Sequence, residues 1–125
     1  MIYQLLILFQ FIGFFTAPFA SDEGKVKARI EIEGELNELS IRAVIENLSE
    51  ENMFLNYELE MHNRSRIKNQ KTLQKGKFMA LRGAIIELSE ARLNARSTKQ
   101  LCVQITVLRD NKVIAVDSVV FQGAR

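Results

Sequence analysis

One histidine, one cysteine and two pairs of closely spaced glutamates are where chemistry is first sought in this 125-residue sequence. Nucleophilic catalysis needs a nucleophile, a base and a group that orients the base. His62, the sole histidine, falls on the polar phase of an alternating run and reads as a surface residue, with no second His or Cys at a metal-ligand spacing. Cys102 lies between Leu101 and Val103 and reads as a small buried hydrophobe; without a second cysteine it can form no internal disulfide, and redox chemistry would need a partner thiol and a lowered pKa. Glu31 with Glu33, and Glu58 with Glu60, stand two apart on strand faces. Paired carboxylates serve glycoside hydrolysis, but on a strand they read first as a solvated face. No Gly-rich phosphate loop is present. No catalytic, cofactor-binding or metal-ligating residue is therefore assigned, no cofactor is expected, and the chain is expected not to be an enzyme. Two sequons, Asn47-Leu48-Ser49 and Asn63-Arg64-Ser65, matter only in a eukaryotic secretory pathway.

Charge is more informative. Lys and Arg number 17 against 15 acids, a net charge of +2, too balanced for a dedicated nucleic-acid binder. Its distribution is uneven: Asp22 to Glu60 is rich in acids, while Arg64, Arg66, Lys68, Lys71, Lys75, Lys77 and Arg82 follow without an intervening acid. On a strand, Lys71, Lys75 and Lys77 share one face. Lysines along an edge discourage strand-to-strand pairing, and the same row offers a contact surface to an acidic or polar partner chain, speeding encounter. Nucleic acid fits less well, because no exposed aromatics interleave with the charges.

The elements that must position these residues show period-2 alternation between polar turns. Val26, Ala28, Ile30 and Ile32 alternate with charged residues in 25–33, and Gly34-Glu35 is expected to turn the chain. Leu39, Ile41, Ala43 and Ile45 form a second run, with Val44 on its outer side, and 47–52 is read as a loop. Met53, Leu55, Tyr57, Leu59 and Met61 make a third, and 63–69 a polar, basic loop. The stretch 70–81 is a weaker strand, with Leu73, Phe78, Met79 and Leu81 as its apolar content and Gly76 marking a bulge or an edge. Ile85 to Leu93 is a fifth strand, although 87–96 has helix-forming composition. Leu101 to Val107 and Val113 to Phe121 make a hairpin around Asp110-Asn111, two residues that tolerate left-handed backbone. Seven short strands favour an all-β, seven-stranded immunoglobulin-like β-sandwich, here without the usual Cys…Trp…Cys core.

The first twenty residues differ from the rest. Residues 1–20 carry no charged side chain, and the apolar core Leu5 to Phe15 is shorter than the roughly 20 residues a membrane span requires. With Ala17-Pro18-Phe19-Ala20-Ser21 following, 1–20 is expected to be an N-terminal signal peptide and 21–125 the sandwich domain. An uncleaved anchor or a buried N-terminal segment is the alternative, since no Lys or Arg precedes the apolar core. An exported domain without disulfides rests on its hydrophobic core, which suits the bacterial periplasm.

One family shares short motifs with this chain. Gln74-Lys75-Gly76-Lys77-Phe78-Met79-Ala80-Leu81, followed by Arg82-Gly83, Leu88-Ser89 and Leu93-Asn94, resembles the periplasmic curli assembly inhibitors of the CsgC/CsgH type. Leu55-Asn56-Tyr57-Glu58-Leu59 and the last hairpin, Val103 to Val120, are also similar to that family. Lys75 stands where the family usually has a small residue and Arg82 where Pro is common; the paired cysteines of one branch are missing, so no redox chemistry is implied. The resemblance implies an immunoglobulin-like sandwich in the periplasm, without a cofactor, that keeps a secreted curli-type amyloid subunit from polymerising before export. Gln74, which opens the motif, joins Arg64, Arg66, Lys68, Lys71, Lys75 and Lys77 as candidate partner-contact residues. The expected partner is that subunit, met by a monomer, with neither nucleic acid nor, after signal cleavage, membrane involved. A generic immunoglobulin-like adhesion, pilus or secretion-accessory module is the alternative.

Overall fold

The structure, a computed structural model, describes residues 24–123, so the segment read as a signal peptide lies outside the described residues. Seven strands follow one another: β1 Val26–Glu35, β2 Glu38–Asn47, β3 Met53–Ser65, β4 Asn69–Ala80, β5 Ile85–Leu93, β6 Thr98–Arg109 and β7 Lys112–Gln122. They form two antiparallel sheets, of order β1-β2-β5 and β4-β3-β6-β7. The all-β sandwich expected from the alternation is what the chain adopts, and the 87–96 stretch contributes a strand, not a helix.

The inner phases of the two sheets meet in one core. Ile41, Ala43 and Ile45 from β2 pack with Leu55, Tyr57 and Leu59 from β3 and with Val103, Ile105 and Val107 from β6, nearly all removed from water. Side chains of this kind each stabilise a fold by roughly 1.5–3 kcal/mol on full burial. β2, β3 and β6 are the strands with neighbours on both sides, which is why their alternation is the clearest in the sequence.

The connections depart from the sequence reading in instructive ways. The first reversal is made at Leu36-Asn37, not at Gly34-Glu35, which still belong to β1. Gly34 contributes left-handed backbone (φ 104°) on the last rungs, where a Cβ would stand 2.7 Å from the Glu38 carbonyl oxygen. Asn47 closes β2 and is fully buried, not in an open loop. Its Nδ2 donates to the carbonyls of Glu51 and Ala80 at 3.0 and 2.9 Å, and its Oδ1 accepts from the Ser49 amide at 2.9 Å. One amide side chain thereby ties the 48–52 loop to the end of β4. The expected 63–69 loop shrinks to Arg66-Ile67-Lys68, because β3 runs on to Ser65 and β4 begins at Asn69; ladder hydrogen bonds do not require apolar side chains. Asp110 and Asn111 turn the last hairpin with φ of 54° and 66°, as their types suggest.

Other expectations about side-chain placement need correction. Cys102 is only half-buried, on the outer phase of β6. Val44 faces outward as expected yet is buried, beside a register shift that leaves Leu88 unopposed on β5. Leu73 and Met79 of β4 are exposed, and Leu81 lies beyond the strand, so only Phe78 and Ala80 tie β4 to the core. Gly76 marks an edge strand and no bulge: the β3–β4 ladder is unbroken from Met53 opposite Ala80 to Arg64 opposite Asn69.

Candidate protein-binding surface

Two outward faces are available, and they handle charge differently. On β1-β2-β5 every arginine is engaged by glutamates of the same sheet. Arg42 reaches Glu31 at 2.8 Å, Glu33 at 2.7 Å and Glu87 at 3.7 Å; Arg29 holds Glu31 at 2.7 Å; Arg92 holds Glu38 and Glu90 at 3.2 and 3.4 Å. The Arg29 hydrogen bond, with help from Arg42, holds the Glu31 carboxyl below the usual range, and the same bond raises Arg29.

On β4-β3-β6-β7 the outward side chains fall into rows across the ladder. Lys71 stands level with His62, Cys102 and Val120; Leu73 with Glu60, Gln104 and Ser118; Lys75 with Glu58, Thr106 and Val116; Lys77 with Asn56, Leu108 and Val113; Met79 with Phe54. Lys71 bonds Glu60 at 2.9 Å, whereas Lys75 and Lys77 make no ion pair among the described residues. Phe54 keeps 75% of its surface exposed, and Leu73 and Met79 are exposed beside the lysines. A shallow depression of about 360 Å³ opens here, lined by Asn56, Glu58, Lys75, Lys77 and Leu108 among others. A ridge of lysines interrupted by apolar side chains on an edge strand can hold an extended polar or acidic chain.

The candidate residues divide into three groups. Lys71, Lys75 and Lys77 do share the outer face of β4, as the alternation requires. Arg64, Arg66 and Lys68 gather at the β3–β4 hairpin, at the far end of the same sheet. Gln74 belongs to neither, because it stands on the inner phase of β4. There its Nε2 donates to the Tyr57 hydroxyl at 2.9 Å and its Oε1 accepts from the Ser89 hydroxyl at 3.2 Å, linking the two sheets. The Tyr57 ring packs edge-on against Phe78, centroids 6.0 Å apart, and over Gly76, whose added Cβ would come within 2.7 Å of it. Gln74 and Gly76 thus shape the edge from within. Phe54 escaped the sequence reading although its place between Met53 and Leu55 already put it on the outer phase. Arg96 and Lys99, brought to the hairpin by a loop from another part of the chain, left no local signal.

Among the described residues no group of three or more His, Cys, Asp or Glu is placed to hold a metal ion. His62 and Cys102 are neighbours across the ladder, and Cys102 Sγ lies 3.8 Å from Gln100 Oε1.

No protein-family model matches the sequence, and no curated protein matches it significantly. Solved structures do. The Escherichia coli curli protein CsgC superposes with a TM-score of 0.63 at 10% identity, over 74% of this chain and 96% of that one. R. palustris CsgH, solved in solution, gives 0.57 at 14% identity, over 73% and 89%. The chain has the fold of these curli proteins. The CsgC/CsgH-like resemblance read from the short motifs is thus met by the fold, over most of CsgC and CsgH and about three quarters of this chain. A β-glucuronidase from Bacteroides uniformis contains a similar sandwich, with a TM-score of 0.54 at 11% identity, over 79% of this chain but only 14% of that enzyme. A sandwich similar to this one therefore also occurs as a small part of a much longer chain.

Proposed function

We propose that this chain is a non-enzymatic, periplasmic, chaperone-like inhibitor that keeps a curli-type amyloid subunit from polymerising through transient contact with β4. The observation that carries the reading is β4 itself: an edge strand whose Lys75 and Lys77 make no ion pair among the described residues, with Phe54, Leu73 and Met79 exposed around them. The likeness in fold to CsgC and CsgH, over 74% and 73% of this chain, supports it.

Amyloid grows when a strand adds to an exposed template edge. A subunit segment that pairs with β4 occupies its own growing edge. The lysine row then opposes addition of a further strand, since like charges and desolvation penalise continued stacking. A contact that acts on rare nuclei needs little lifetime, so a small, wet, cation-rich surface suffices.

The test is the lag of curli-subunit fibrillation followed with an amyloid dye. Substoichiometric protein should lengthen the lag, and a lag unchanged at every concentration rejects the function. Lys71→Glu, Lys75→Glu and Lys77→Glu together should abolish the delay while the circular dichroism stays native; full activity in that variant rejects β4 as the surface. A generic adhesion or secretion-accessory module instead predicts a stable stoichiometric complex on size exclusion.

A further inference from the structure

The β3–β4 hairpin ends in a turn of unusual make-up. Ser65 Oγ donates to the Lys68 carbonyl at 2.7 Å and accepts from the Ile67 and Lys68 amides at 3.2 and 3.0 Å, while the Ser65 amide donates to the Lys68 carbonyl at 3.1 Å. The turn so fixed holds Ile67 outward at its apex, 80% exposed, the most exposed large hydrophobic side chain among the described residues. Arg66 and Lys68 flank it, with Arg64 before and Lys71 after. The loop between β5 and β6 lies alongside: the Arg66 amide donates to the Ser97 carbonyl at 3.0 Å, and Ser65 is in register with Thr98, which brings Arg96 and Lys99 to the same corner.

Arg64, Arg66, Lys68, Arg96 and Lys99 make no ion pair among the described residues. The sequence has no acid between Glu60 and Glu87 or between Glu90 and Asp110. Acids at this end of the sandwich, Glu33, Glu35 and Glu38, belong to the β1–β2 hairpin of the other sheet, and Glu38 is engaged by Arg92. The corner is therefore a cluster of cations around a single apolar tip, with its nearest acids on the β1–β2 hairpin, which meets the β5–β6 loop where the Ala95 amide donates to the Leu36 carbonyl.

A soluble polyanion would use the cations and gain nothing from an isoleucine held into water. A bilayer with anionic lipids uses both: cations settle among headgroups while an apolar side chain enters the boundary with the acyl chains. We infer that the β3–β4 apex is a membrane-docking corner, which seats the chain on an anionic lipid surface with Ile67 inserted at the headgroup boundary. Each cation near such a surface strengthens partitioning roughly fivefold, so the attachment is peripheral and salt-sensitive. It departs from the expectation that the exported domain leaves membranes alone. It is also independent of the amyloid reading, because Lys75, Lys77 and Met79 lie further along β4.

The chain contains no tryptophan, so Ile67→Trp provides a reporter that sees position 67 alone, whether or not residues 1–20 are present. With phosphatidylglycerol-containing vesicles at low salt its emission should shift to the blue and be quenched by lipids brominated near the headgroup. Phosphatidylcholine vesicles should leave it unchanged, and high salt should reverse the shift. Adding Arg66→Gln and Lys68→Gln should lower partitioning roughly 25-fold. No shift on anionic vesicles, an equal shift on phosphatidylcholine, or partitioning untouched by the double neutralisation would each overturn the inference. A response to dissolved heparin with none to vesicles would also overturn it, in favour of a soluble polyanion. The fibrillation assay contains no lipid, so the two proposals fail separately.

Discussion

Arg42 and Lys75 occupy comparable places, each on the outward side of a sheet, yet Arg42 touches three glutamates and Lys75 makes no ion pair among the described residues. The outward side of β1-β2-β5 ties its arginines to glutamates of the same sheet. The outward side of β4-β3-β6-β7 leaves Lys75 and Lys77 to water and places exposed apolar side chains beside them. Since surface ion pairs contribute roughly 0–1 kcal/mol each, the first arrangement has only a small effect on stability, and the second gives up equally little. The contrast between the two sides therefore concerns contact with other molecules far more than folding.

The strongest way to break the contrast is to remove what both sides share. Ile105→Ala empties a fully buried position in β6 and should cost about 2–5 kcal/mol, read as a lowered urea midpoint, with both surfaces lost together. A smaller intervention reshapes one side only. Gly76→Ala pushes a methyl into the Tyr57 ring and should cost about 1–3 kcal/mol; it should also disturb the Gln74 bridge and raise hydrogen exchange along β4 while β1 is unaffected.

Arg42→Ala frees Glu31, Glu33 and Glu87 and should lower stability by about 1 kcal/mol in urea titration, with no change in the fibrillation lag. Lys75→Glu with Lys77→Glu should do the converse, moving stability by less than about 0.5 kcal/mol while shortening the lag. If Arg42→Ala alters the lag as much as the lysine pair does, the two sides are not functionally distinct.

The smallest effects separate two carboxylates by pH. Glu31 is held below the usual range by Arg29, so its contribution is present above its unfolded-state pKa and is lost as pH falls through its folded-state value. Asp117 differs: it stands on the inner phase of β7, accepts from the Ile30 amide at 2.8 Å, and burial raises its pKa against the pull of that hydrogen bond. Its contribution is present below its unfolded-state pKa and is lost as pH rises through the folded-state value. Urea midpoints taken from acid towards neutral pH should therefore move in favour of Asp117→Asn relative to the parent, and in favour of the parent relative to Glu31→Gln.

How much of this was legible follows from where each strand lies. β2, β3 and β6 are covered on both flanks and reveal themselves by alternation. β4 has its inner phase filled by Thr72, Gln74 and Gly76, so the sequence shows a weak strand and hides the fact that Leu73 and Met79 face water. The common face of Lys71, Lys75 and Lys77 was readable because strand period alone decides it. That Gln74 turns inward to Tyr57 and Ser89, and that Arg96 and Lys99 join Arg66, depends on contacts between distant parts of the chain, which no local pattern carries. The half-exposure of Cys102 was implied by its own alternation with Leu101 and Val103 and was obscured by the general habit of free cysteines to be buried.

Asn47 has a practical consequence for anyone producing the protein. Its side-chain nitrogen already holds two backbone carbonyls in the interior, so a sugar on that atom and the native sandwich exclude one another. Secretion from a eukaryotic host would give an oligosaccharyltransferase access to Asn47 only while the polypeptide is still unfolded. The occupied molecules would then be unable to close the end of the domain and would fall to quality control, whereas a bacterial host avoids the conflict altogether.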